Sequence, residues 1–132
     1  MDNLDAIGER IRDNFEAKYA AREQALRLAR EIIQASATAI RAIHRSEFPE
    51  AQARIEKAGA ALDEAKVVLA EHPDIFYAGF IHDAAKEYAE ASLTYAIVLG
   101  QPLPEPEALG VAYASYLNAL GEAAGELRRR LL

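Results

Sequence analysis

Helical periodicity runs unbroken from about Asn3 to about His44, and a stretch of that length constrains this chain more than any other feature. Apolar residues recur along it at heptad-like spacing: Leu4, Ile11, Ala25, Ile32 and Ala39 in one series, Phe15, Ala29 and Ile43 in another. Lys18 and Arg22 fall where the seam calls for apolar side chains. That fits either a bent or solvated stretch or a basic pair set inside a groove. Helices this long usually bury themselves against partners, so the pattern predicts an oligomer.

Ser46-Glu47-Phe48-Pro49 ends the first helix, and Pro49 suits the first residue of a second. That helix is expected to about Glu71, with Ile55, Ala58, Leu62, Ala65 and Leu69 on one stripe, and Gly59 among alanines predicts close packing. His72-Pro73-Asp74 opens a third helix, from about residue 74 to residue 99, capped by a left-handed Gly100. Gln101-Pro102-Leu103-Pro104-Glu105-Pro106 is a stiff, extended connector, and a fourth helix follows from about Glu107 to the end. Gly121 and Gly125, four apart on that helix, predict the close approach of a backbone or a ligand. Arg128-Arg129-Arg130-Leu131-Leu132 carries no stop signal, as in a helix cut short or completed by a partner chain. Residues 1–132 are thus read as one all-α domain, a long-helix antiparallel bundle.

Composition narrows the chemistry. There is no cysteine, which excludes a disulfide framework, a thiolate metal site and a cysteine nucleophile. The acidic, amphipathic start from Met1 to Glu9 fits neither a secretory signal nor a transit peptide, and no apolar run is long enough to span a bilayer. The expectation is a soluble cytoplasmic protein. A net charge of −6 argues against nucleic acid covering the whole surface, but the charge is uneven. Between Glu9 and Arg45 lie eight of the fifteen basic residues, among them Arg22, Arg27, Arg30, Arg41 and Arg45, against five acids. Ordinary i,i+4 pairs such as Glu23 with Arg27 and Arg27 with Glu31 account for part of this on a solvated face.

The acidic residues carry the strongest chemical signal. Glu87 and Glu90 lie three apart on the third helix, with Asp83 on the same stripe and small Ala85, Ala89 and Ala91 beside them. Glu122 and Glu126 lie four apart on the fourth helix, between Gly121, Ala123, Ala124 and Gly125. If the two helices pack antiparallel, four carboxylates converge, and like charges so placed need a proton or a cation to offset them. Mg²⁺ or Mn²⁺ is the natural occupant of an all-oxygen site, and such an ion supports phosphodiester hydrolysis. Glutamates at these spacings are equally commonplace on exposed helices. A di-iron bundle requires Glu-x-x-His pairs, and His44, His72 and His82 do not supply them. His82 and Lys86, four apart, read as a surface pair.

Three blocks of the chain resemble the translin family, namely translin, translin-associated factor X and their archaeal relatives. The first is Ala21-Arg22-Glu23, continuing through Ala29-Arg30-Glu31-Ile32-Ile33-Gln34 to Ala42-Ile43-His44-Arg45. The second is Glu87-Tyr88-Ala89-Glu90-Ala91, similar to the family's Glu-Tyr-x-Glu-Ala. The third is Tyr116-Leu117, then Leu120-Gly121-Glu122 and Gly125-Glu126-Leu127-Arg128-Arg129. The resemblance implies an α fold of the seven-helix type, assembled into a hollow, barrel-like oligomer, often an octamer, that binds single-stranded RNA or DNA inside. In the factor X branch it implies Mg²⁺-dependent endoribonuclease activity. The family's acidic metal ligands fall on Glu87, Glu90 and Glu122, with Glu126 next in the cluster. The family usually carries Asp where this chain has Glu122. The translin nucleic-acid contact maps onto Arg22, and His44-Arg45 matches a recurrent pair. Translin itself lacks the acidic pair, which sets this chain with the catalytic branch. The family also continues for roughly another pair of helices beyond the third block, so the resemblance leaves two expectations: an altered barrel, or one completed by a related subunit.

Three functions are therefore weighed. The first is a metal-dependent endoribonuclease on single-stranded RNA, with Glu87, Glu90 and Glu122 holding the ion. In that reading Arg22, with Arg27 or Arg30, positions phosphates. The second is a binding module of translin type without cleavage. The third is a structural helical assembly protein whose acidic face is merely solvated.

Overall fold

A computed structural model describes residues 2–131, all of whose regular structure is helical. Met1 and Leu132, the second of the two terminal leucines, lie outside the described residues. The helices are α1 (Asp2–His44), α2 (Phe48–Val68), α3 (Pro73–Phe76), α4 (Gly79–Leu99), α5 (Pro106–Leu109) and α6 (Tyr113–Leu131).

The long first helix forms as its periodicity predicts. Asp2 and Asp5 sit in its first turn and Arg41 and His44 in its last, each sign matching the helix dipole. Its buried face begins at Ala21 and continues through Ala25, Leu28, Ala29, Ile32, Ala35, Ala39 and Ile43. The earlier members of the two heptad series behave differently. Leu4, Ile11 and Phe15 are exposed, as is Tyr19, so the first five turns carry an apolar stripe that none of the described residues covers. Lys18, one of the two basic interruptions, pairs with Asp74 at 2.9 Å.

Ser46, at φ 59°, turns the chain, and α2 runs back along α1 with its proline in the first turn. It stops at Val68, before Glu71. Most buried apolar positions in the core are alanine, with Leu28, Ile32, Leu62, Leu69, Ile81 and Leu93 as the large fillers. Alanine faces let helix axes approach closely, and Gly59 extends this to α2 and α4. A Cβ on Gly59 would stand 2.9 Å from the Tyr88 hydroxyl.

Two expected helices are each broken. The third divides at Tyr77-Ala78, where Ala78 is extended (ψ 145°) and Gly79, a poor helix former, restarts the coil as α4. The break lets Ile75 enter the core and Phe76 pack against it, with the Tyr77 and His82 rings gathered on Phe76. His82 thus packs against aromatics and does not pair with Lys86. The fourth divides at Gly110, whose φ of 69° ends α5 and whose carbonyl accepts a 2.6 Å hydrogen bond from Lys66 Nζ.

The connector decides the direction of the last helix. From Gln101 it passes Gln52 and Glu56 of α2, and by Gly110 it has reached Lys66 near that helix's other end. The extended residues of the connector, at about 3 Å each, together with α5 at about 1.5 Å per residue, cover roughly the length of α4. The chain has then returned to the level where α4 began, and α6 runs parallel to α4. Glu122 meets Lys86, while Arg130, two turns later, donates to the Ile43 carbonyl at 2.6 Å and to Ser46 Oγ at 3.2 Å. α1, α2 and α4 alternate in direction as an antiparallel bundle, and α6 is the exception. Gly121 meets nothing within 4 Å where a Cβ would be, so the expected close approach there is absent. It is Ala119 and Ala123, both fully buried, that bring α6 onto α4.

Arg130 also lies over the Phe48 ring at 5.9 Å, so one guanidinium closes the end of α1 and caps the second apolar cluster. Arg130→Met is expected to lower unfolding free energy by about 1–2 kcal/mol, the scale of a charged hydrogen bond to a carbonyl left without its partner. Urea titration checks this, and an unchanged midpoint would show that the contact contributes nothing.

Candidate metal centre

α4 carries Lys86, Glu87 and Glu90 toward α6, and α6 presents Glu122 one helical turn after the Ala119 contact. One carboxylate oxygen from each of Glu87, Glu90 and Glu122 lies within 4.8 Å of the others. This is the convergence the spacing allowed, reached with the helices parallel. Glu90 is 6% exposed, Glu87 is half-buried and Glu122 lies at the rim.

The charges are unevenly met. Lys86 Nζ donates to Glu122 at 2.9 Å and stands 3.6 Å from Glu87. Glu90 forms no ion pair among the described residues, although the Arg129 charge on α6 acts on it from farther away. Burial, then the hydrogen bond it shares with Glu122, then the negative charges of Glu87, Glu122 and Glu126 push its carboxyl up to about 8. Near neutral pH Glu90 holds a proton and donates it to Glu122. Glu122 is held below the usual carboxylate range by that bond first and by Lys86 second. The Lys86 ammonium is correspondingly raised, chiefly by its bond to Glu122.

Glu126 belongs to a neighbouring group. Its Oε2 lies 2.6 Å from His44 Nε2, and its Oε1 accepts from Arg129. Burial pushes its carboxyl up, and the bonds from Arg129 and His44 outweigh this and hold it low. It therefore stands beside the three-oxygen cluster with its own partners, acting on Glu90 as a nearby negative charge. Asp83, on the same stripe as Glu87, is exposed and outside the cluster.

The basic residues are dispersed along α1. Arg22 lies 5.9 Å from the Phe80 ring, and Phe80 precedes Glu87 by two turns on the same face of α4. Arg22 thus stands about 10 Å along the helix from the acidic cluster. Arg27 is paired with Glu31 at 3.1 Å, as the i,i+4 spacing suggests, and Arg30 is exposed with no acidic partner among the described residues. Arg45 bonds weakly to the Arg41 carbonyl at 3.4 Å, and its neighbour His44 faces Glu126. Lys86 was missed as part of the site. The signal was present, since it lies next to Glu87 and four residues before Glu90.

An all-helical bundle with a three-carboxylate cluster between two alanine-lined helices is the class of protein this defines. Two solved structures share the fold. One, a C3PO bound to duplex RNA (AfC3PO), superposes with a TM-score of 0.82 at 31% identity, covering 92% of this chain and 62% of its own. The other, an apo C3PO (NeC3PO), gives 0.73 at 24% identity over 98% of this chain and 67% of its own. The chain is translin-like, with C3PO complexes of that family as its structural neighbours. It is also 31% identical over 120 residues to an uncharacterised protein of Methanocaldococcus jannaschii, covering 87% of this chain. The chain spans about half (51%) of the length of that curated relative. No family profile matches the sequence. Among the described residues no helix is long and apolar enough to cross a membrane.

Proposed function

We propose that this chain is a metal-dependent endoribonuclease acting on single-stranded RNA, with Mg²⁺ or Mn²⁺ held by Glu87, Glu90 and Glu122. The observation that carries the reading is Glu90, a buried carboxyl aimed at two others and held in no ion pair among the described residues. The donor set fits, since three carboxylates offer only hard oxygens. When bound, such an ion supplies Lewis-acid polarisation of a phosphoryl oxygen and an activated water. The chain's own residues do the rest. Glu87 and Glu90 are fixed on one helix and Glu122 on another, so the cluster is set by helix packing and not by a mobile loop. Arg22 and Arg30 engage phosphates along the face leading to it. Arg27, Arg45 and His44 are the further candidate contacts on α1, Arg27 now held by Glu31 and His44 by Glu126. Binding of duplex RNA by a 31%-identical neighbour supports nucleic acid as the ligand. The uncovered stripe Leu4, Ile11, Phe15 and Tyr19 supports a homo-oligomer, in the family's manner a barrel-like octamer or one completed by a related subunit, working in the cytoplasm.

One observation favours a second reading. Lys86 already neutralises part of the cluster, as it would in a translin-type module that binds RNA or DNA without cleaving it. The test is to incubate labelled single-stranded and duplex RNA with the protein and with Glu90→Gln, in Mg²⁺, Mn²⁺ or chelator. Metal-dependent cleavage that falls at least about a hundredfold in the variant supports the nuclease, on the scale of losing one transition-state contact. Equal cleavage by both proteins, or salt-sensitive binding with none, removes it.

A further inference from the structure

Lys86 stands where a cation belongs. Its ammonium lies 2.9 Å from Glu122 and 3.6 Å from Glu87, two of the three carboxylates of the cluster. It comes from α4 itself, one residue before Glu87. It is half-buried, and no carboxylate outside the cluster pairs with it among the described residues. An ammonium hydrogen-bonded to Glu122 and close to Glu87 competes with a divalent ion for the negative charge of the same two carboxylates. An ammonium within about 4 Å of such an ion would also suffer strong repulsion in this half-buried setting.

Resting on the metal reading above, we propose that Lys86 is a tethered counter-ion, occupying the cluster through Glu122 and Glu87 until a divalent cation displaces it. The side chain has the means to leave. Four methylenes give it several rotamers, and the rim beside Glu122 opens to solvent. The device sets a threshold. It keeps the carboxylates drawn together in the metal-free protein and weakens divalent binding, so that occupancy follows the free ion concentration. Displacement also releases a cationic side chain at the mouth of the cluster.

Two measurements on the full chain test this. Free Mn²⁺ is titrated by electron paramagnetic resonance against the natural protein, Lys86→Met, Lys86→Arg and Glu90→Gln. Lys86→Met is expected to bind Mn²⁺ about tenfold more tightly, and Lys86→Arg as weakly as the natural protein. In parallel, lysine acetylation read by mass spectrometry should rise at Lys86 when Mg²⁺ is added and stay constant at exposed Lys57. Unchanged or weaker binding by Lys86→Met, or labelling of Lys86 that ignores Mg²⁺, overturns the counter-ion role while leaving the metal site intact. Mn²⁺ binding that survives Glu90→Gln undiminished, or is absent from all four proteins, overturns the site and this inference together.

Discussion

In chelator, the thermal midpoint of this protein is expected to fall as pH rises from about 5 to about 8, and Glu90→Gln is expected to flatten that fall. The folded carboxyl titrates near 8 because burial, Glu122 and the surrounding negative charges all oppose its ionisation. In the unfolded chain it titrates near an ordinary glutamate. Below the unfolded value both states hold the proton and there is no penalty. Between the two values only the folded state holds it, so each pH unit costs about 1.4 kcal/mol. Above about 8 the penalty is complete, on the order of 5 kcal/mol if Glu90 bears it alone. Glu122 and Glu126 are shifted the other way, so their contribution is lost only on acidification below the ordinary carboxylate range, a separate window. A divalent ion at the cluster competes with the Glu90 proton, so Mn²⁺ should raise the midpoint little at pH 5 and most near pH 8. Glutamine at position 90 keeps the shape and removes the charge, and should abolish both effects. A parallel fall with pH in the natural protein and Glu90→Gln would show that the penalty lies elsewhere.

Much of this site is legible in the sequence, and what is not has identifiable causes. The spacing of Glu87 and Glu90 puts both on one helical face, and that holds because α4 is regular throughout their region. Their meeting with Glu122 depended on two helices whose relative direction no local pattern encodes. The direction follows from the connector, whose prolines signal extension but not where it leads. It turns back along α2 to Lys66, a contact 44 residues apart in the chain. Glu126 shows the same limit. Its spacing from Glu122 suggested a fourth ligand, yet His44 and Arg129 take its oxygens, and His44 lies 82 residues away. Long-helix periodicity predicted α1 and the Gly100 cap correctly, whereas the breaks at Tyr77-Ala78 and Gly110 were smoothed over by flanking helical signals. Gly121 and Gly125 drew attention away from Ala119 and Ala123, which actually carry the contact, because alanine is silent in a helix where glycine is costly.

That alanine contact leads to the second large effect. Ala123 is fully buried and lies next to Glu122, so its side chain points into the α4–α6 seam while its neighbour reaches the cluster. Ala123→Leu is expected to destabilise the fold by about 1–3 kcal/mol, the range for forcing methylenes into a packed interior. It should also damage the site more than its stability cost suggests. The cluster closes only because small residues let α6 lie close against α4, and one helix axis moved outward by about 1–2 Å would carry Glu122 away from Glu87 and Glu90. Glu90 would then lose the partner it donates to, and Lys86 would lose its nearest carboxylate. Mn²⁺ affinity is expected to fall at least tenfold in Ala123→Leu under conditions where the variant remains folded. Ala124→Leu is the control, because Ala124 is exposed on the same helix and should change neither stability nor affinity appreciably. If Ala123→Leu binds Mn²⁺ as tightly as the natural protein, close helix approach is not what assembles the carboxylates. If it binds weakly while unfolding at the natural midpoint, the seam has yielded at the site alone.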